Sequence, residues 1–239
     1  MNARTPNILV TGASRGIGNA ILQELEASGA NAVGHASTDI ADLIGVDLSK
    51  SGGASTLWAT ALERLDGRID AVINNAGVFE ANPLEGSEAD WLASWQRTMQ
   101  INLTASAELC RLAVLHWQKS GSGGRIVNIA SRAAYRGDGS AHWHYAASKG
   151  GMVSMTKTIA RAYAAQHIYA FAICPGFTMT GMAEDYLESR GGDKLLADIP
   201  LGRVAQPEEI ASIAVYCALD APPSMTGAVL DANGASYVR

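Results

Sequence analysis

Asn7-Ile-Leu-Val-Thr-Gly-Ala-Ser-Arg-Gly-Ile-Gly18 joins an apolar run to a glycine-punctuated turn and then to the start of a helical pattern. The run from Asn7 to Thr11 predicts a short strand that Gly12 ends. Ile17, Ile21, Leu22 and Leu25 then recur at helical spacing until Gly29 stops them. Glycines between a strand and a helix let the backbone turn tightly and approach a pyrophosphate. The N-terminal end of the helix stabilises the charge of that group. An ordinary glycine turn is the plain alternative, but this loop follows the first strand and opens the first helix, where a phosphate cradle belongs.

Working outward, Ala32–Ala36 and Leu43–Val46 predict two further strands, with only Ser37 to Asp42 between them. Parallel neighbours normally need a crossover of a dozen residues or more, so the helix between the second and third strands is expected to be missing. Leu57, Ala61, Leu62 and Leu65 mark a helix before the strand Ile69–Asn74. Gly77 to Ser87 is loop, and one long helical pattern runs from Glu88 to Trp117. The strand Ile126–Ala130 leads to Ser131, a further helix runs through Met152 and Ile159 to Tyr163, and Ile168–Cys174 is the next strand. Phe177 to Ile199 reads as a mobile substrate flap with helical stretches. Pro207 opens another helix, and Ala228–Asp231 is the last strand. Strands alternating with helices this regularly predict an α/β fold, a Rossmann-type doubly wound parallel sheet of about seven strands. No repeat or linker interrupts it, so one domain over residues 1–239 is expected.

The 239 residues suffice for one large domain with a sizeable core, and 48% of them are apolar. A formal net charge of -5 gives no electrostatic reason to expect nucleic acid or an anionic membrane as partner. Cys110, Cys174 and Cys217 are odd in number and far apart, which fits buried thiols in a reducing compartment and offers no metal spacing. A strand-like run follows the first six residues, so no signal peptide is visible, and no apolar run approaches bilayer length. A soluble, cytoplasmic protein is expected.

Tyr145 and Lys149 stand four residues apart in helical register, so their side chains share a face. A phenol titrates near 10 and is a poor acid or base at neutral pH. A fixed neighbouring cation stabilises the phenolate and is expected to lower that pKa. Ser131, at the end of a buried strand, offers a hydroxyl that would hold a carbonyl oxygen next to the tyrosine.

With these residues in place, the chain resembles the short-chain dehydrogenase/reductase family over nearly its whole length, including its 3-oxoacyl-carrier-protein reductase-like members. The family's Thr-Gly-x-x-x-Gly-x-Gly matches Thr11 to Gly18, and Asn-Asn-Ala-Gly matches Asn74 to Gly77. Its helix asparagine matches Asn102, its serine Ser131, and Tyr-x-x-x-Lys matches Tyr145 and Lys149. Pro-Gly with a following threonine matches Pro175, Gly176 and Thr180. The resemblance implies an NAD(P)-dependent enzyme with Asn102, Ser131, Tyr145 and Lys149 as catalytic residues. Tyr145 would donate a proton to the carbonyl oxygen while hydride arrives from the nicotinamide, and Ser131 would orient that oxygen. Lys149 would bind the ribose hydroxyls and lower the pKa of Tyr145, and Asn102 would hold a relay water. The implied cofactor contacts are Gly12, Ser14, Arg15, Gly16, Ile17, Gly18, Ser37, Asp47, Leu48, Asn74, Ala76, Gly77, Tyr145, Lys149, Pro175, Gly176, Thr178 and Thr180. Asp47 would meet the adenine amino group. The family also implies a homotetramer built through two long helices, here near residues 88–118 and 144–166.

NADP(H) is favoured over NAD(H). A carboxylate at the end of the second strand would bind ribose hydroxyls and repel a 2′-phosphate, yet Ala36 and Ser37 stand there and Arg15 is available to a phosphate. Asp39, in the shortened link, is the argument for NAD(H). Trp143, His142, His144, Met179, Met182 and Tyr186 are candidates to line the substrate pocket. The expected substrate is a small free carbonyl compound or its alcohol. No basic cluster for an acidic carrier protein stands near the expected mouth, and the spacing from Ser131 to Tyr145 is slightly long for carrier-protein reductases. Reduction of 3-oxoacyl thioesters is the neighbouring alternative. A nucleotide-sensing protein without turnover is the alternative of another class, though a sensor has no need of all four catalytic residues.

Overall fold

The computed structural model describes residues 4–180 and 196–239. Seven strands form one parallel sheet in the order β3-β2-β1-β4-β5-β6-β7: β1 Asn7–Val10, β2 Asn31–Ala36, β3 Ile44–Gly45, β4 Ala71–Asn74, β5 Gly124–Ile129, β6 Ile168–Pro175 and β7 Val229–Ala232. The chain runs outward in one direction from β1 to β3 and in the other from β4 to β7. The C-terminal ends of β1 and β4 therefore border the crevice where a doubly wound sheet binds its ligand.

Alternation along the strands supplies two cores. Leu9, Val72 and Ile126 pack on one face against α2 (Gly53–Arg64), α4 (Ala105–Ser120) and the end of α6 (Trp143–Tyr163). Ile8, Val10, Ile73 and Val127 pack on the other against α1 (Gly16–Ala27) and α7 (Pro207–Leu219). Both faces are covered, which is why the strands read as unbroken apolar runs. α7 starts at Pro207 as expected, and Gln206 and Glu209 close a capping box over its first turn.

Two elements differ from the sequence reading. No helix joins β2 to β3, as expected, but β3 is only two residues long rather than Leu43–Val46. Val46 donates its N–H to Ala36, while its carbonyl is taken by the imidazole of His35 instead of by the ladder. The long pattern from Glu88 is not one regular helix either. α3 (Glu88–Met99) passes into a π-helical turn, Gln100–Thr104, before α4, and the Ala105 N–H reaches back to the Gln100 carbonyl. One extra residue in the ladder rotates Asn102 inward, a placement that periodicity cannot signal. A short helix, α5 (Ala133–Arg136), follows β5. Most of the expected flap, with Met182 and Tyr186, lies outside the described residues. None of the described helices is long and apolar enough to cross a membrane.

Candidate active site

The glycine loop sits at the crevice in a form that other residues would not tolerate. Gly12 and Gly16 have φ of +66° and +54°. A Cβ on Gly12 would stand 2.8 Å from the Ala76 backbone, and one on Gly16 would stand 2.9 Å from Thr180 Cγ2. Thr180 and Ala76 therefore border the loop directly. Arg15 is the N-cap of α1 and is exposed, as is Ser14. Nothing caps the helix through a side chain, and its first turn carries no acid. Free N–H groups, a helix dipole and no competing carboxylate fit a pyrophosphate. Ile17 and Gly18 turn inward against the helix and loop backbone.

Two residues outside the expected set hold this loop. Asn75 donates from Nδ2 to the carbonyls of Thr11 (3.1 Å) and Gly12 (3.0 Å), tying the loop to the end of β4. Thr11 Oγ1 meanwhile accepts the N–H groups of Asn75 and Ala76. His35 is buried at the end of β2. Its Nδ1 accepts the Gly12 N–H (3.1 Å) and its Nε2 lies 2.8 Å from the Val46 carbonyl. A carbonyl only accepts, so Nε2 carries the proton and the ring is neutral. Burial holds the His35 pKa down. A lone histidine in a strand gave no signal of this role.

Further along the crevice, Ser37 is exposed at the end of β2 beside the buried Ala36, and Asp39 packs on Gly45 of β3. Asp47 is exposed, and hydrogen bonds from Ser49 hold its carboxyl below the ordinary range. The side chains of Leu48 and Asn74 are buried elsewhere. Leu48 belongs to a core, and Asn74 donates to Asn128 Oδ1 (2.8 Å) and Cys110 Sγ (3.3 Å). Any contact they make with a ligand in the crevice runs through their main chain.

Asn102, Tyr145 and Lys149 converge opposite the loop. Asn102 is fully buried; its Oδ1 accepts the Val78 N–H (2.8 Å) and its Nδ2 donates to the Val78 carbonyl (3.0 Å). A Cβ on Gly77 would stand 3.3 Å from Asn102 Oδ1 and 3.6 Å from Lys149 Nζ, so the chain at Gly77 passes close to both side chains. Lys149 Nζ donates to the Ile129 carbonyl (2.8 Å) and lies 5.8 Å from the Tyr145 ring centroid. The Ser131 hydroxyl, which accepts the Ala133 N–H (3.1 Å), pulls the Tyr145 phenol toward a lower pKa. Phe79, which the sequence reading passed over, meets Tyr145 edge-on at 4.7 Å and stacks on His142 at 4.1 Å. His144 is buried with neither ring nitrogen partnered, and Trp143 is exposed. On the far side, Gly176 donates to Ala232, Thr178 Oγ1 reaches the Gly176 carbonyl, and Pro175 receives the Arg132 N–H.

The electrostatics reverse one expectation. Burial pushes the Tyr145 phenol up to about 12, against the pull of Ser131, and pushes the Lys149 ammonium down to about 8. Each charged form is stripped of water, and that loss sets the direction of both shifts. Tyr145 is therefore held in its protonated form at neutral pH, as a weaker acid than a free phenol.

A family profile described as "Enoyl-(Acyl carrier protein) reductase" matches residues 12–234. The 3-oxoacyl-[acyl-carrier-protein] reductase of Pseudomonas aeruginosa is 36% identical over 96% of both chains. Those of Vibrio harveyi and Escherichia coli are 32% identical over the full length of both chains. The glycine loop and the Asn-Asn-Ala-Gly turn meet at the crevice that Asn102 and Lys149 also border, and the exposed Arg15 with no carboxylate ending β2 favours NADP(H). The chain belongs to the short-chain dehydrogenase/reductase family and is an NAD(P)-dependent oxidoreductase.

Proposed function

We propose that the protein reduces a 3-oxoacyl thioester to the 3-hydroxyacyl thioester with NADPH. The observation that carries this reading is full-length similarity to 3-oxoacyl-[acyl-carrier-protein] reductases together with a phenol kept protonated beside a serine hydroxyl. The expectation of a small free carbonyl substrate gives way to the thioester. The absence of a basic cluster bears on how a carrier would dock and leaves the chemistry at the carbonyl unchanged.

NADPH supplies the hydride. Tyr145 gives its proton to the carbonyl oxygen, and Ser131 donates a second hydrogen bond to that oxygen as negative charge develops on it. Two hydroxyl donors at one oxygen suit a ketone becoming an alcohol, which favours carbonyl reduction over the reduction of a carbon–carbon double bond. Lys149 holds the ribose hydroxyls, and Asn102, fixed in the π turn, positions the water that restores the proton. Gly12, Ser14, Arg15, Gly16, Ile17 and Gly18 would hold the pyrophosphate, with Arg15 and Ser37 available to the 2′-phosphate. Asp47 and Leu48 would meet the adenine, and the main chain of Asn74, Ala76 and Gly77 would line the ribose. Pro175, Gly176, Thr178 and Thr180 hold the carboxamide end. The enzyme acts in the cytoplasm, where its three free, buried cysteines stay reduced. It assembles as a homotetramer through α4 and α6, whose outer faces expose Leu115 and Trp143.

The test is NADPH oxidation across acetoacetyl-coenzyme A, acetoacetyl carrier protein, simple ketones and diketones. Thioester kcat/KM at least tenfold above the best free ketone is expected, and the reverse order overturns the reading.

A further inference from the structure

One charged side chain beside the reaction centre takes no part in the chemistry above. Arg132 directly follows Ser131 and is only 8% exposed. Its guanidinium lies over the Phe177 ring at 4.8 Å, and among the described residues its Nη1 has no hydrogen-bond partner. Arg136, one turn on, adds like charge and is held by Asp198 at 3.5 Å. Asp198 and Asp138 act on Arg132 through space, but neither forms an ion pair with it. The backbone is pinned on both sides: the Arg132 N–H donates to Pro175, and the Arg132 carbonyl receives the N–H groups of Tyr135 and Arg136. The residue is thus fixed between Ser131 and the segment leaving β6 through Pro175 and Gly176. A guanidinium stays charged at neutral pH, and burying it with an unfilled donor is strongly unfavourable unless an anion completes it.

We propose that Arg132 is a specificity-determining residue that receives a carboxylate carried on the acyl part of the substrate. The inference rests on the 3-oxoacyl reading and narrows it to acyl chains ending in a negative charge. The planar guanidinium matches a planar carboxylate. The phosphates of coenzyme A or of a carrier arm are the other oxyanions on such substrates, but they stand at the far end of an extended pantetheine chain. Arg132 instead directly follows the serine that meets the carbonyl, and its guanidinium lies over Phe177, just after the Pro175–Gly176 turn that its own N–H is bonded to.

Three thioesters test this: acetoacetyl-N-acetylcysteamine, the N-acetylcysteamine thioester of a 3-oxo diacid, and acetoacetyl-coenzyme A. The diacid thioester is expected to show kcat/KM at least tenfold above its neutral counterpart. Arg132→Met should lower that value by about 30- to 100-fold, with neutral turnover and the NADPH Kd within twofold of the parent. Equal rates on the diacid and neutral thioesters, or an equal loss on both in the variant, overturn the proposal. So does a preference for the coenzyme A ester that Arg132→Met abolishes, since the phosphate would then be the anion. The parent comparison stands without any variant, should Arg132→Met fail to fold. Failure to turn over any of the three, with NADPH bound, counts against the 3-oxoacyl reading itself; turnover without preference counts against Arg132 alone.

Discussion

The two sides of the crevice are built differently. The reaction side, from the π turn through α6, is held by several elements at once: the buried Asn102 by the π turn and Val78, the buried Lys149 by the Ile129 carbonyl, and Tyr145 by edge-on contact with Phe79. The cofactor side, from β1 to β3, is thin. β3 has two residues, no helix covers the link, and one neutral histidine joins the glycine loop to Val46, just past the third strand. The contrast separates two demands. Proton transfer needs fixed, desolvated groups whose pKa values are set by burial, whereas dinucleotide binding needs a cradle of backbone N–H groups with room for phosphates.

The sharpest way to break this comparison is Tyr145→Phe. Turnover should fall by about a thousandfold or more, since a positioned acid contributes roughly 10²–10⁴, while NADPH binding by fluorescence titration stays within twofold. A variant that keeps its activity removes Tyr145 from the role. The next effect lies at the cofactor end. NADPH should bind at least tenfold tighter than NADH, and Arg15→Ala should erase most of that margin by loss of a charge-assisted contact. Equal affinities in the parent would assign the cradle to NAD(H).

His35→Ala probes the thin side directly. It orphans the Gly12 N–H and the Val46 carbonyl, so the NADPH Kd should rise about tenfold, consistent with roughly 1–3 kcal/mol for an unsatisfied buried group. The kcat at saturating cofactor should stay near the parent's; a fall in kcat at unchanged Kd would contradict the assignment. The pH profile comes next. Lys149 titrates at about 8 and Tyr145 at about 12. Reduction kcat/KM should therefore decline as pH rises through about 8, from loss of the ammonium, with the phenol still protonated. A plateau extending to pH 10 would refute this.

The smallest effect is on stability. The pKa of His35 is lowered in the folded chain from its ordinary 6.5. The unfolded chain binds that proton first as pH falls, so this contribution is full above 6.5 and is lost as pH drops through the folded value. Thermal unfolding should show a fall in Tm below pH 6.5 that is smaller in His35→Gln. An identical acid limb in both proteins would show that other groups set it.

Much of this was legible in the chain. The alternation of strands and helices, the missing helix after β2 and the start of α7 at Pro207 follow from periodicity, spacing and proline chemistry, which act locally. Tyr145 and Lys149 were also legible, because a four-residue spacing places side chains on one helical face whatever the fold. Contacts between distant segments were not. Phe79 meets Tyr145 across 66 positions, and Asn75 reaches Thr11 across 64. His35 joins Gly12 to Val46 only because parallel pairing sets β2 between β1 and β3. The direction of the Tyr145 and Lys149 shifts was likewise hidden, since a sequence shows which charges are neighbours but not how much water has been removed from them. The amino-acid order alone determined the doubly wound sheet and which groups are available for chemistry. The packed chain decided their protonation, their partners and the burial of the Arg132 charge, because desolvation and long-range hydrogen bonds exist only once distant segments have closed on one another.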